Sequence, residues 1–457
     1  MRPLAIVTPL ICFTLLAGCA NLAPDYARPH MPVPATIDGK SVSAQTVEGL
    51  DWQRVVTEDR LRKTVELALA NNRDLRIAAL NIEKARAQYQ IQDAALYPAI
   101  NATVGGSSSR YEGAINRKYS AGLGITSYEL DFFGRLSNLS ESALQSFLTT
   151  EATQRSVRTS LIAEVTSAWL TLAATQDLLK LAQETLESRT KTLELTRKQL
   201  ALGGVSRLAV AQAQATTEAA RGDVANYTSL VEQARNALNL LAGTVVPDDL
   251  RPAATNSVGQ SALALLEVPA GLSSEQLLQR PDIVAAEHSL IASHADIGAA
   301  RAAFFPSITL TGSAGSASSS LNQLFDAGTR AWAFAPTLTL PIFNAGALRA
   351  SLSVAETSRD IQVATYEKTV QTAFREVADA LAERSTLNER MEAQKAEVDA
   401  YATSLRLSTE RYRSGADSYL NVLDSQRSLY TAQKSLISLQ LSEQTNRMTL
   451  FKVLGGE

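Results

Sequence analysis

Two long stretches of the chain have the pattern of α-helix and contain no helix breaker. Residues 135–202 and 347–414 hold neither glycine nor proline, although the chain has 23 and 14 of these residues. Residues with high helix propensity, such as alanine, leucine, glutamate and lysine, dominate both stretches. At about 1.5 Å per residue, a helix through either stretch is roughly 100 Å long. Their apolar positions are spread around the helix, which favours a wall of packed helices over a coiled coil with one a/d seam.

Short segments with a period of two lie ahead of each long stretch. Ile100 and Val104 alternate with polar residues in the first half, and Trp332 belongs to a similar alternation in the second half. This alternation is typical of a β-strand with one apolar face. The sequence therefore predicts two β-hairpins, whose polar connecting loops lie at 110–118 and 313–320.

The order of these elements occurs twice. Residues 74–105 align with residues 282–313 without gaps, and each long helical stretch stops at a glycine before a second long helix. Such self-similarity indicates an internal duplication. The predicted regions are a signal peptide at 1–18, an extended strap at 19–60, a first repeat at 61–243 with its hairpin at about 98–131, a linker at 244–272, and a second repeat at 273–457 with its hairpin at about 305–342.

Four strands cannot close a transmembrane barrel, because the smallest such barrels have about eight. An open sheet cannot lie in a bilayer either, since the backbone groups at its edges would find no hydrogen-bond partner. Either the strands form a soluble sandwich, or several chains share one barrel. Three chains of four strands give twelve. We therefore predict a mixed α+β membrane protein, a trimeric 12-stranded β-barrel continued by a long α-helical barrel.

The N-terminus has the pattern of an export signal. An apolar stretch from Leu4 to Leu16 is too short to span a bilayer and ends at Cys19. The segment Leu-Ala-Gly-Cys resembles the lipobox of bacterial lipoproteins, and this resemblance implies N-acyl and S-diacylglycerol groups on Cys19. Ala20 after the cysteine favours the outer membrane by the same resemblance. The alternative is an ordinary cleaved signal that contains a chance cysteine.

Composition and charge argue against several other classes of function. The net charge is −3 and no basic stripe is present, so nothing indicates nucleic-acid binding. The three histidines, His30, His288 and His294, do not have the spacing of metal ligands on one helix face. We expect them at the surface. Without a phosphate-binding loop or a nucleophile elbow, the sequence predicts neither an enzyme nor a metal site.

The segment from Arg411 to Arg427, Arg-Tyr-Arg-Ser-Gly-Ala-Asp-Ser-Tyr-Leu-Asn-Val-Leu-Asp-Ser-Gln-Arg, resembles a motif of the outer-membrane factor family in its lipoprotein branch. With the duplication, the resemblance covers nearly the whole mature chain. It implies a homotrimeric channel in the outer membrane of a Gram-negative bacterium, with its helices in the periplasm and its barrel against outer-membrane lipid. It also implies two partners, a periplasmic adaptor protein and an inner-membrane pump, commonly of the resistance-nodulation-division type.

The resemblance further implies roles for particular residues at the periplasmic end. Asp424 matches the acidic part of a constriction, and Leu420 matches its apolar part. Tyr412 and Asp417 match residues that connect neighbouring helices. Arg427 lies one helical turn past Asp424. Gly203, Gly204 and Gly415 match the tip turns, where the adaptor docks.

This chain departs from the family pattern in two places. Asn421 stands where some members have a second acid, and the first-repeat tip has no acid where several relatives have aspartate. Any lock between the repeats must therefore differ here. Our hypothesis is that Arg207 or Arg413 pairs with Asp417 at the closed tip.

The function predicted from the sequence is a passive efflux duct, which partner proteins open at its periplasmic tip. No cofactor is expected apart from the covalent lipid. Two alternatives stay open at this point: a lipid-anchored periplasmic scaffold without a pore, and an exit duct for type I protein secretion.

Overall fold

The computed structural model describes residues 21–35, 51–253 and 274–456. The signal peptide, Cys19 and most of the predicted linker lie outside these ranges. The helices and strands are α1 (Trp52–Val55), α2 (Asp59–Asn71), α3 (Arg73–Ala94), β1 (Ile100–Tyr111), β2 (Ala114–Leu130), α4 (Arg135–Ala201), α5 (Arg207–Ala242), α6 (Pro281–Ala302), β3 (Ser307–Ser318), β4 (Arg330–Thr339), α7 (Ala347–Arg413) and α8 (Tyr419–Val453).

The chain forms two compact units, and each contains parts of both repeats. The strand unit comprises the described residues 21–31, 80–152 and 284–368. The helical unit comprises the rest of the described chain. The two long helices predicted from the missing glycines and prolines are confirmed, since α4 and α7 have 67 residues each. None of the helices in the described ranges combines the length and apolar character needed to cross a bilayer.

A hydrophobic core holds the helical unit together. Trp169 of α4 is almost completely buried among Val56, Leu61 and Phe451, which come from widely separated parts of the chain. The indole Nε1 of Trp169 donates a hydrogen bond to the carbonyl of Leu250 at 3.0 Å, so its polar edge is satisfied as well. This core fixes the ends of the second helices of both repeats.

The four strands form one antiparallel sheet in the order β1-β2-β3-β4. The predicted hairpins are therefore present, and the β2–β3 pair joins the hairpin of one repeat to that of the other. The predicted loops are wrong in extent. Strands β1 and β2 stay paired as far as Tyr111 and Ala114, and a two-residue turn at Glu112 and Gly113 connects them, with φ of 46° and 85°. Ladder hydrogen bonds involve only the backbone, so polar side chains do not end a strand.

The register places the large apolar side chains of the sheet on one side, called here the apolar face, with the exception of Tyr111, which pairs with Ala114 on the opposite side at the end of β1. A β-bulge between Ile125 and Tyr128 keeps both of these residues on that side. Trp332, Phe334 and Leu338 of β4 are 81%, 61% and 64% exposed. The apolar face consists of Ile100, Ala102, Val104, Gly106, Ser108, Arg110, Ile115, Arg117, Tyr119, Ala121, Leu123, Ile125, Tyr128, Leu130, Ile308, Leu310, Gly312, Ala314, Ser316, Ser318, Arg330, Trp332, Phe334, Pro336 and Leu338.

The opposite side of the sheet, the polar face, carries small and polar residues. Asn101, Thr103, Thr309 and Thr337 are examples, together with alanines and glycines. Gly122 of β2 and Gly315 of β3 lie directly opposite each other on this side. A Cβ atom on Gly315 would lie 2.5 Å from the Cα atom of Gly122. The strands of the two repeats can therefore approach closely only because both positions are glycine.

Part of the N-terminal strap packs on the strand unit. The Arg28 guanidinium binds both carboxylate oxygens of Glu287 on α6, at 2.8 and 2.9 Å, and the Tyr26 hydroxyl donates to the same carboxylate at 2.9 Å. Asn21 accepts a hydrogen bond from Asn138 at 2.8 Å. The segment from Asn21 to Arg28 is thus held in place by specific contacts with α4 and α6.

The strap also changes the environment of two histidines that we expected at the surface. His30 is exposed, as expected, but His288 and His294 of α6 are half-buried. The His294 ring packs edge-on against Tyr26 with 5.6 Å between ring centroids, and burial lowers its pKa. The ring nitrogen Nδ1 of His288 lies 2.6 Å from Gln145 Oε1 on α4. The expectation failed because the sequence did not show that the strap and α4 cover this helix.

Candidate functional site

The two helix reversals of the helical unit have the same backbone geometry. Gly203 and Gly415 both adopt the left-handed conformation, with φ of 74° and 75°. The next residue closes the turn in each case: Gly204 donates its N–H to the Gln199 carbonyl at 2.8 Å, and Ala416 donates to Arg411 at 2.9 Å. This is the Schellman arrangement of helix C-termini. Gly204 does not adopt the left-handed conformation, so its position does not require glycine. Ala416 occupies the equivalent position of the second turn.

A serine begins the returning helix after each turn. The Ser206 hydroxyl accepts from the Ala209 N–H at 3.2 Å, and the Ser418 hydroxyl accepts from the Leu420 N–H at the same distance. Both serines therefore cap a helix N-terminus. The matching turns and caps show that the duplication extends to the backbone of the tips.

Asp417 is paired across the second turn, but with a different arginine from the one we hypothesised. Its Oδ2 lies 2.5 Å from Arg411 Nε, whereas Arg207 and Arg413 are exposed and neither is paired with Asp417 among the described residues. Two residues along a helix correspond to a rotation of about 200°, so Arg413 points away when Arg411 faces Asp417. The hydrogen bond from Arg411 holds the pKa of Asp417 below its usual range. The pair therefore persists at neutral pH and is lost only as the pH falls through that lowered pKa.

Tyr412 connects the two repeats near the tip. Its hydroxyl donates to Gln199 Oε1 of α4 at 3.1 Å, and its ring lies 5.2 Å from the ring of Tyr419. Tyr419 is buried with Leu193 of α4 in a small apolar cluster, and this burial raises its pKa to about 12. We did not single out Tyr419 from the sequence. The signal was available, because an aromatic residue directly follows the Ser418 cap and precedes Val422 by three positions.

Leu420, Asp424 and Arg427 occupy one face of α8. They lie at spacings of three and four residues, and all three are exposed. The Asp424 carboxylate accepts a hydrogen bond from Arg427 Nη2 at 2.6 Å. Within one chain, therefore, the predicted acidic position carries its own counter-charge.

These three residues line a groove of about 490 Å³, whose other walls come from α4 and α5. At one end of the groove, the Tyr430 hydroxyl donates to Asp223 Oδ2 at 3.0 Å. The Arg189 guanidinium lies 5.6 Å from the centre of the Tyr430 ring and donates to the Thr216 carbonyl at 2.9 Å. Burial and Asp223 raise the pKa of Tyr430. Sequence reasoning missed this cluster because Tyr430 is more than 200 residues from Arg189 and Asp223.

Known proteins with similar sequences have the same arrangement of strands and helices. The family model for outer membrane efflux proteins matches residues 64–244 and 272–456. The toluene efflux pump outer membrane protein TtgC of Pseudomonas putida is 45% identical over 97% of this chain and 93% of its own length. The cation efflux system protein CusC of Escherichia coli is 42% identical over 98% of both. The open state of the Neisseria gonorrhoeae MtrE outer membrane channel superposes with a TM-score of 0.88 at 40% identity, covering 96% of this chain and 98% of that one.

The chain belongs to the outer membrane efflux protein family. It is the outer-membrane component of a tripartite efflux system. The predicted mixed α+β fold, with four strands and long helices, is confirmed, as are the role in efflux and the outer-membrane location. The roles of Asp424, Leu420, Asp417, Tyr412 and Arg427 in gating stay predictions, and so does adaptor contact at Gly203, Gly204 and Gly415.

Replacing Asp417 with alanine is expected to increase the single-channel conductance in a planar bilayer. The change removes the ion pair that holds the last turn of α7 to the start of α8. The matched control is Arg413→Ala, which removes a neighbouring charge but leaves that pair intact. Because the pair is exposed, the difference between the variants should shrink as the salt concentration rises. Equal conductance of Asp417→Ala and the wild type would show that Asp417 has no role in gating.

Proposed function

We propose that three copies of this chain form one export duct, with twelve strands closed into a barrel in the outer membrane. The observation that carries this proposal is the sheet itself. Among the described residues, β1 and β4 each pair on one side only, and the large apolar side chains lie on one face, apart from Tyr111 at the end of β1. Such edges are unstable in lipid unless another strand pairs with them. Pairing β4 of one copy with β1 of the next satisfies both edges and requires no other partner.

In the proposed barrel, the two faces of the sheet contact different environments. The apolar face contacts lipid, and the polar face lines a water-filled lumen, as in other transmembrane barrels. Both long helices leave the same end of the sheet, because each begins within a few residues of the last residue of a hairpin. The helices therefore lie in the periplasm and continue the duct.

The periplasmic tip is the docking place for the adaptor in this proposal, and the inner-membrane pump, of the resistance-nodulation-division type, supplies the energy. Leu202 and Leu208 flank the first tip turn and are 87% and 66% exposed. Apolar side chains exposed at such a turn are typical of a protein contact. The duct itself is passive and carries out no covalent chemistry.

The lipid anchor of the proposal is Cys19, with its diacylglycerol and N-acyl groups. Cys19 precedes Asn21 by two residues, which limits their separation to about 7 Å. Asn21 contacts Asn138 and lies beside Gly134, four residues after the end of β2. The described start of the strap therefore lies next to the periplasmic end of the sheet, and this supports an anchor in the inner leaflet of the outer membrane.

The duct accepts varied cargo, and the pump selects it. Relatives of similar identity are named for toluene efflux and for cation efflux. Between strand residues 101 and 339 the polar face carries mainly serine, threonine, alanine and glycine. Small neutral side chains of this kind contact water and small solutes without strong preference.

Native mass measurement and conductance test this proposal together. The full-length protein, purified from membranes in detergent, should have the mass of three copies, each carrying the lipid at Cys19, and it should conduct ions in a planar bilayer. A Cys19→Ser variant should lose the lipid mass and label with no palmitate. A monomer without conductance would refute the duct and favour the scaffold without a pore. An unlipidated wild-type chain would refute the anchor alone.

A further inference from the structure

All charged residues on the apolar face of the sheet are arginines, and they lie at the end far from the helices. Arg110 is near the end of β1, Arg117 near the start of β2 and Arg330 at the start of β4. No aspartate, glutamate or lysine lies on this face within the four strands. Because charges on a lipid-facing surface are costly in the hydrocarbon, their position along the strands is informative.

The position of the arginines agrees with the upper boundary of the hydrocarbon layer. Arg110 follows Ile100 by ten residues, and Arg330 precedes Leu338 by eight. With a rise of about 3.4 Å per residue and a strand tilt of about 40°, these separations correspond to heights of about 21–26 Å. The apolar band of a transmembrane barrel is about 25 Å tall. The guanidinium groups therefore reach the headgroup layer on the cell-exterior side.

Two of these arginines form a pair on adjacent strands. Arg110 is opposite Ile115, and Arg117 is opposite Ser108, so the arginines are diagonal neighbours on one face. Diagonal neighbours are about 7–8 Å apart at Cα, within the reach of two arginine side chains for one shared anion. Both are exposed, and within the part of the chain that the structure describes neither forms an ion pair. Glu112, the nearest carboxylate in sequence, belongs to the connecting turn.

Two neighbouring like charges repel each other, and an anion bound between them relieves this repulsion. Arginine suits phosphate best, because its guanidinium donates two parallel hydrogen bonds. Tyr119 and Trp332 lie two residues from Arg117 and Arg330 towards the membrane on the same face, where aromatic side chains favour the interface. The sequence of groups from the membrane centre outwards is thus apolar, aromatic and cationic.

We propose that Arg110 and Arg117 bind the phosphate groups of lipopolysaccharide, the phosphorylated glycolipid of the outer leaflet. The choice of this lipid follows from the side of the membrane, since the arginines lie at the end of the sheet opposite the periplasmic helices. The inference rests on the proposed barrel, in which the apolar face contacts lipid. Binding anchors the outer rim of the duct, while the acylated strap anchors its inner rim.

The chain offers a matched control at the same height. Lys118 is adjacent to Arg117 and therefore lies on the polar face, opposite Ser107. A change at Lys118 removes one positive charge at the same level of the barrel without touching the lipid side.

The test measures lipopolysaccharide binding to the purified full-length channel in detergent. A fluorescent deep-rough lipopolysaccharide is titrated against the wild type, Arg110→Gln/Arg117→Gln, Arg110→Lys/Arg117→Lys and Lys118→Gln. At about 1 kcal/mol per basic residue near an anionic surface, the double glutamine variant should bind about thirtyfold more weakly. The lysine variant keeps the charge and should lose only part of the affinity. Lys118→Gln should bind as the wild type does.

Three results would overturn the proposal in whole or in part. Unchanged binding by the double glutamine variant would refute the site, and so would equal binding of dephosphorylated lipopolysaccharide. Equal affinity for phosphatidylglycerol would refute the assignment to the glycolipid. Conductance of every variant is measured in parallel, so that a wild type without a pore refutes the proposed duct, whereas conducting variants with unaltered lipid binding refute only this inference.

Discussion

Replacing Phe334 with arginine is expected to prevent assembly of the channel in the outer membrane. Phe334 lies midway along β4 on the apolar face and is 61% exposed within one chain. An arginine facing lipid near the bilayer midplane costs about 2–4 kcal/mol per chain, and a trimer contains the substitution three times. The measurement is the amount of heat-modifiable trimer in isolated outer membranes, which should fall at least tenfold.

The neighbouring residue provides the control for this prediction. Ala333 lies on the polar face, so an Ala333→Arg variant places the same side chain in the proposed lumen. It should assemble in normal amount and conduct cations less well than the wild type. If both variants assemble equally, the assignment of the two faces to lipid and water is wrong.

In a Gly315→Ala variant, strands β2 and β3 should fail to pair, so that the two hairpins of the chain stay separate. The new Cβ atom would lie 2.5 Å from the Cα atom of Gly122 and would also overlap the Ala121 carbonyl oxygen. Both are backbone atoms, which cannot move without breaking the β2–β3 ladder. Overpacking of this kind costs about 1–3 kcal/mol per chain, and a trimer contains the substitution three times. The trimer should therefore lose its resistance to dissociation in detergent at a temperature at which the wild type remains intact.

Gly312, three residues away on the same strand, separates this clash from a general effect of removing glycine. A Cβ atom at this position meets nothing closer than 3.8 Å, namely the Ala333 carbonyl oxygen and the Phe334 ring. Gly312→Ala should therefore leave the trimer as stable as the wild type. Equal loss in both variants would show that glycine content rather than close strand approach matters here.

Local regularity explains which elements could be predicted from the sequence. The absence of glycine and proline was sufficient to place α4 and α7 to within a residue at each end. Alternation of apolar residues was sufficient to find the hairpins, because each strand has one apolar face. Hydrogen bonds and side-chain patterns inside one element depend on residues close in sequence, and such residues are visible in the chain itself.

Contacts across a helix turn and contacts between distant segments could not be predicted in the same way. The pairing of Asp417 with Arg411 depends on the rotation of α7 at its last turn, and the alternatives Arg207 and Arg413 had equal charge. The cluster of Arg189, Asp223 and Tyr430 comes from three helices. Neither charge nor residue type identifies a partner when the intervening chain is long.

The amino-acid sequence was sufficient to predict the duplicated order of helices and hairpins and the sharing of one barrel by several chains. The family was predicted from the resemblance of the segment 411–427 to a known motif. The order of elements and the shared barrel follow from propensity, period and strand number, which are properties of the chain alone. The fold was needed to show that all charges on the apolar face are arginines at one end of the sheet, and that Gly122 meets Gly315. These features depend on the register of the strands, which sets the face on which each side chain lies. A shift of one residue would move every side chain to the other face, and the register is set by packing and hydrogen bonding between strands that are far apart in the sequence.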